Sequence, residues 1–366
     1  MKKVFAIVIL AVVAFACSSN DNEGVNNSQN YDRTAILTNW ADNIIIPAYQ
    51  NYNDKVSELY TKTTDFTQNP DETKLNELRA AWLSAYEAYQ YVAMYDFGKA
   101  SILYLKQSAN TYPTDVAGIE NNITTGSYNL DTQIQFSRQG FPGIDYLING
   151  LGDDAETVAY YSNTAAADYL TAITAQLKSI AEQVTNDWNG TYRNTFVNNN
   201  GTSVTSSVNV TTNNFVRNFE KDVRSGKVGI PAGIFSNGTT YADKVEAYYK
   251  NNVSKMLLNA GIKAQQDFFN GKAFNSTTTG PSLKSALDGV NAVRNGENLS
   301  TIINNQFAAI YTANNQLSES LSQQVTTDNN KMLNAYDAMQ QNVIYIKLDM
   351  MQALNITIDY VDGDGD

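Results

Sequence analysis

The sequence predicts an all-α protein of two packed helical bundles. Two observations carry this prediction. Apolar residues recur at three- and four-residue spacing through most of the chain, the signature of amphipathic helices. The breaks between these runs are short islands of Gly, Pro and Asn, which suit antiparallel connections between bundle helices. With 366 residues and 43% hydrophobic content, the chain is long enough for two ordinary domains with a real core.

The chain opens on Met1-Lys2-Lys3, an apolar run from Val4 to Ala16, and Ala14-Phe15-Ala16 directly before Cys17. A basic start, a short apolar core and small residues before a cysteine define a lipoprotein signal peptide over residues 1–17. The apolar run is too short to span a bilayer comfortably. Cys17 is the single cysteine, so it forms no internal disulfide and is the expected lipidation site. Residues 18–30 are polar and rich in Asn and Ser, and are expected to form a flexible tether. The first bundle is assigned to residues 31–152 and the second to 153–366.

Within the first bundle, Ile36, Trp40, Ile44, Ala48, Tyr52, Val56 and Leu59 mark a long helix that contains Pro47. That proline implies a kink or a new start. Thr64–Asn69 reads as a polar connection. Leu75, Leu78, Trp82, Ala85, Tyr89 and Val92 mark a second helix running to a stop at Phe97-Gly98. Tyr86, Tyr89, Tyr91 and Tyr95 add an aromatic surface to it, suited to core packing or to the wall of a cleft. Residues 115–134 suggest only short helical or 3₁₀ pieces. Gly140-Phe141-Pro142-Gly143 reads as fixed non-helical backbone, with a short helix opening at Tyr146 and ending near Asn149-Gly150.

In the second bundle, Tyr169, Leu170, Ile173, Leu177, Ile180, Val184 and Trp188 form the cleanest apolar stripe. Residues 198–213 read as a loop or hairpin, because Val204, Val208 and Val210 have β character. A helix is expected at 214–224. Gly226–Gly233 lacks the phosphate-loop form and is expected to bring backbone tightly against a neighbour. Val245, Tyr248, Tyr249 and Val253 suggest a helix continuing past Leu257. Further helices follow at Leu283–Val290, Leu299–Phe307 and Met332–Leu354, with methionines as core filler. The closing Asp362-Gly363-Asp364-Gly365-Asp366 reads as an acidic tail, since no twelve-residue calcium loop with a closing glutamate follows.

Composition excludes several functions. The net charge of -12 argues against nucleic-acid binding. Histidine is absent, which removes Ser-His-Asp and Cys-His nucleophilic sites and His-ligated zinc. Any metal site must therefore be all-oxygen and suited to a hard ion such as iron or calcium.

The lipoprotein start, Ala81-Trp82-Leu83 before Phe97-Gly98, Gly140-Phe141-Pro142-Gly143-Ile144-Asp145-Tyr146-Leu147, Gly229-Ile230-Pro231 and the acidic end together resemble the imelysin (M75 peptidase-like) family. The resemblance covers roughly residues 31–366. It implies two helical bundles, a bacterial periplasmic or surface location and a link to iron regulation and uptake. It also implies a Gly-x-His-x-x-Glu signature thought to bind metal. Here Gly140 matches the glycine, Pro142 stands in place of histidine, and Asp145 in place of glutamate. Proline offers no ligand atom. Asp145 keeps a carboxylate whose oxygens fall about 1–1.5 Å short on an unchanged backbone. Asp96 is the one acid in the last turns before Gly98.

The expectation is therefore a non-catalytic, lipid-anchored envelope protein of the outer membrane, with its domain on the periplasmic or the surface face. It is expected to bind a ligand linked to iron or nutrient acquisition (an envelope protein, peptide or glycan), with the family metal site lost or altered and no cofactor. One alternative is a carboxylate-based iron or calcium site using Asp145 and Asp96, helped by Tyr95 or Tyr146 as a tyrosinate. The other is a metal-dependent peptidase, for which no HExxH spacing exists. For Asp145 a purely structural role is also open, as the N-cap of the helix that follows it.

Overall fold

The computed structural model describes residues 31–360. The signal segment with Cys17, the 18–30 tether and the Asp362–Asp366 tail lie outside the described residues.

The chain is almost entirely helical, and the principal helices are numbered in chain order. They are α1 (residues 33–68), α2 (Glu72–Gln90), α3 (Val116–Thr125), α4 (Gly140–Asn149), α5 (Thr164–Asp187), α6 (residues 207–229), α7 (Ser254–Phe269), α8 (Leu299–Asn314) and α9 (residues 329–353). The paired strands are Val293–Arg294 and Glu297–Asn298, antiparallel, with Val293 opposite Asn298.

The predicted apolar faces of α1, α2 and α5 are buried at every named position. The three tryptophans, Trp40, Trp82 and Trp188, lie in the core. In α9 only Leu333 of the predicted face is half-buried.

Pro47 neither breaks α1 nor starts a new helix. A π-helical turn over Trp40–Ile45 precedes it, and the helix continues to Gln68. Proline has no N–H to give the Asn43 carbonyl, and that carbonyl instead accepts from the Phe274 N–H at 2.8 Å. The same continuity absorbs most of the polar stretch expected as a connection.

The expected boundary at 152/153 falls at the start of a short helix, Asp154–Tyr160, capped by Asp153 in a capping box with Glu156. Beyond it, α5 lies along α1. α1 is held from one side by α2 and from the other by a helix that follows the boundary. The apolar side chains from both stretches form one contiguous cluster.

Four local expectations are corrected. α2 ends at Gln90, and Tyr91–Met94 is a turn, while Gly98 with φ 59° precedes the next short helix instead of ending α2. Residues 116–125 form a full helix. The 207–213 stretch, expected as loop or hairpin, is the first part of α6, in which most side chains are buried. Asn209 and Asn213 spend their side-chain amides on backbone carbonyls of Thr202, Ser203 and Thr357, and this tertiary burial overrides weak helix propensity. Residues 245–252, expected as helix, are irregular, with positive φ at Ala247 and Asn251, and α7 starts only at Ser254. The Gly226–Gly233 island does place backbone tightly: an added Cβ on Gly229 would lie 2.7 Å from the Tyr336 ring.

Candidate functional site

The candidate site is built around the Gly140–Asn149 helix, α4. It begins at Gly140 itself, not at Tyr146. Gly140 has φ 67°, and a Cβ there would collide with the carbonyl oxygens of Ser108 and Ala109. Pro142 fits the first turn, where its missing N–H costs nothing.

The rest of α4 is fixed from α2. Trp82 Nε1 donates to the Phe141 carbonyl at 3.0 Å, and the Phe141 ring stacks on Tyr86 at 4.4 Å. Arg79 Nε and the Tyr161 hydroxyl donate to the carbonyls of Ile148 and Leu147, which satisfies the open C-terminal end.

Asp145 lies on the sixth residue of this helix and is 1% exposed. It does not cap the helix that carries it. Its Oδ2 accepts from the Tyr249 N–H at 2.9 Å, and its Oδ1 accepts from the Lys250 N–H at 3.0 Å and from Asn149 Nδ2 at 2.9 Å. The carboxylate thus clamps the irregular 245–252 segment onto the signature helix. Burial pushes its pKa up to about 7, against the pull of these three N–H donors and of Lys250.

Asp96 sits elsewhere, 3.4 Å from the Arg217 guanidinium. Among the described residues no group of three His, Cys, Asp or Glu side chains is placed to hold a metal ion. The residues at the signature do not fit the family metal: Pro142 has no donor, and both oxygens of Asp145 are engaged by N–H groups. Tyr95 is buried in an aromatic cluster with Tyr49, Phe97 and Phe268. Tyr146 is placed differently. Its hydroxyl donates to Glu120 Oε1 at 2.7 Å, and the Tyr160 hydroxyl reaches the same carboxylate at 2.9 Å. Burial and the Glu120 charge both raise the two phenols above their ordinary range.

Asp145 and Pro142 line a small cleft of about 110 Å³ with Tyr112, Pro113 and Tyr248. Tyr112 and Pro113 also line a larger neighbouring cavity of about 460 Å³. Its wall includes Tyr89, and Tyr91 and Tyr95 line a separate cleft of about 190 Å³, so of the predicted tyrosine surface Tyr86 alone serves only the core. Four lysines line this cavity: Lys106, Lys221, Lys227 and Lys244. Lys227 is buried and ion-paired with buried Glu246, which also accepts from Asn110 Nδ2 at 2.8 Å and Gln90 Nε2 at 3.3 Å. Lys106 pairs with Asp222 at 2.7 Å, and Asn218 Nδ2 donates to the same oxygen at 2.9 Å. The Tyr112 hydroxyl is pushed well up by burial, then by the charges of Glu246 and Asp222.

None of the charged cavity residues was singled out by sequence, although Tyr89 was named on the face of α2. The only signal was Lys227 inside the glycine island. Its partner Glu246 is a lone acid in a stretch with helical spacing, and Asn110 lies 136 residues from that acid.

The fold and site define an almost entirely helical protein with a polar cavity beside the Gly140–Asn149 helix. The chain belongs to the imelysin (peptidase M75) family, whose pattern matches residues 45–344. Two solved structures share the fold. One is an imelysin-like protein from Psychrobacter arcticum 273-4, with 18% identity and a TM-score of 0.70, covering 90% of this chain and 97% of that one. The other is a "putative iron-regulated protein A precursor" from Parabacteroides distasonis ATCC 8503, with 16% identity and a TM-score of 0.71, covering 89% and 95%. No curated protein matches the chain. No described helix is long and apolar enough to cross a membrane.

Proposed function

We propose that this chain is a non-catalytic binding protein of the cell envelope, anchored by lipid on Cys17 and linked to iron or nutrient acquisition. The observation that carries the reading is the engagement of Asp145. Where the family signature has metal-binding residues, this chain has a proline and a carboxylate tied to two backbone amides and Asn149. The adjacent cavity supplies room for a small ligand. The name of the Parabacteroides protein, iron-regulated and a precursor, supports an exported, iron-linked role. The lipobox-like sequence ending in Cys17 supports the anchor and an outer-membrane location.

The test is native mass spectrometry of the full chain purified in mild detergent without chelators, beside a peptide-library hydrolysis assay. A non-covalent small molecule and no hydrolysis are expected. Hydrolysis abolished by Asp145→Asn overturns the reading.

A second reading, iron binding, is favoured by one observation. The Tyr146 and Tyr160 hydroxyls both bond to the Glu120 carboxylate, which gathers hard oxygen donors around one acid beside α4. Ferric iron held there would ionise the phenols and give a visible phenolate-to-iron absorption band. Titration of ferric ion followed in the visible range checks it. A band lost in Tyr146→Phe supports this reading, and a spectrum identical in wild type and variant contradicts it.

A further inference from the structure

We infer that the cavity lined by Lys106, Lys221, Lys227 and Lys244 is a binding site for a small, multiply charged oxyanion, carrying carboxylates or phosphates. The inference rests on the reading of this cavity as the ligand site and names the ligand's chemistry.

The chain as a whole is acidic, with 37 Asp and Glu against 25 Lys and Arg. The cavity reverses that balance. Four lysines line it against one lining carboxylate, Asp222, and the buried Glu246 behind Lys227. Leaving Lys221 out of the count, Lys106, Lys227 and Lys244 still outnumber Asp222 and Glu246, so this set is net positive even with both acids ionised. A cationic cleft with low-dielectric walls in an acidic protein concentrates field lines on anions. At an effective dielectric of about 20, each unit charge about 4 Å away attracts an anion by about 4 kcal/mol.

The lysines are held in different ways. Lys106 gives one of its three ammonium N–H groups to Asp222 and has two more to offer. Lys244 rests 3.8 Å from the centroid of the Tyr241 ring, a contact that orients an ammonium without neutralising it. Lys221 lies 5.6 Å from the Tyr360 ring. Lys227 is 4% exposed, and its partner Glu246 is fixed in turn by Gln90 and Asn110. An anion entering here meets ammonium groups already positioned by the fold, so little side-chain entropy remains to be lost. The volume of about 460 Å³ suits a small metabolite. Several lysines on separate walls favour a ligand with more than one charged group over a monoanion. Lysine acts as a point charge for either carboxylate or phosphate.

The experiment is calorimetric titration of the full chain with citrate and, separately, inorganic phosphate. Wild type is compared with Lys106→Gln/Lys244→Gln, whose side chains are half-buried, so the fold should survive; a thermal melt checks this. Lys178→Gln, on the surface of α5 beside Glu182, is the control for losing a lysine away from the cavity. The expected result is saturable binding that weakens at least about tenfold in the double variant, is unchanged in Lys178→Gln, and weakens as NaCl rises from about 0.05 to 0.5 M. The tighter of the two probes tells whether carboxylate or phosphate is the natural chemistry. Binding equal in wild type and double variant overturns the site, as does binding of neither probe. A copurifying uncharged molecule seen by native mass spectrometry, with no anion binding, sinks this inference while the binding-protein reading stands.

Discussion

Two buried acids near α4, Asp145 and Glu246, are stabilised in opposite ways. Asp145 is surrounded by N–H dipoles: two backbone amides and one side-chain amide hold it. Glu246 has a full counter-charge in Lys227, with Asn110 and Gln90 completing its shell. Backbone amides cannot leave without moving the chain, so Asp145 is a fixed structural clamp. An ammonium can be shared with an incoming anion, so on the proposed reading of the cavity the Glu246–Lys227 pair is the one that would respond to a ligand. The acid that the family signature points to is the less available of the two.

Breaking each acid separately tests this contrast. Glu246→Ala leaves Lys227 charged and buried without a carboxylate, and is expected to cost about 3–5 kcal/mol in urea unfolding. The paired change Glu246→Gln/Lys227→Met should recover much of that loss, because a buried pair replaced by neutral groups is often tolerated. Asp145→Ala leaves two backbone N–H groups unsatisfied and is expected to cost about 2–4 kcal/mol, measured in the same way. Loosening should be local to residues 245–252, so amide exchange at Tyr249 and Lys250 should speed up more than exchange in α5.

The pH dependence sharpens the contrast further. The folded pKa of Asp145 is raised to about 7, above the ordinary carboxylate value. The folded chain therefore holds a proton that the unfolded chain has released. This contribution is full below about pH 4 and is lost as pH rises through about 7. Stability should be greater near pH 5 than near pH 8, by about 2–4 kcal/mol from this group. Asp145→Asn should flatten that difference. Asp71, Asp115 and Asp288 have lowered pKa values through N–H, hydroxyl and cationic partners. Their contributions act in the opposite sense and are lost only as pH falls below about 4, outside this window. The smallest effect belongs to an exposed pair away from both acids. Arg193→Ala, which removes a bridge to Asp42, should cost no more than about 1 kcal/mol.

The helical scaffold was legible in the sequence because burial follows periodicity. Every residue named on the faces of α1, α2 and α5 is in the core. The family was legible from the order of Ala81-Trp82-Leu83 and the Gly140–Leu147 stretch, and the structure brings the two together: Trp82 Nε1 donates to the Phe141 carbonyl. The misses have physical reasons as well. Spacing at Val245, Tyr248, Tyr249 and Val253 imitates a helix, but positive φ at Ala247 and Asn251 breaks it, and Asp145 holds the freed amides. Valine, threonine and asparagine at 207–214 have weak helix propensity, and only their burial makes them helical. The cavity was illegible because it is assembled from Lys106, Asn110, Lys227 and Glu246, which no local pattern connects.

The most direct test of the central claim is calorimetric titration of ferric and calcium ions into wild type and Asp145→Asn, with both proteins shown folded by thermal melting. If Asp145 is a backbone clamp, the two proteins give the same isotherms with each ion. A metal site present in wild type and abolished in folded Asp145→Asn would contradict the account and return the ancestral chemistry to this position.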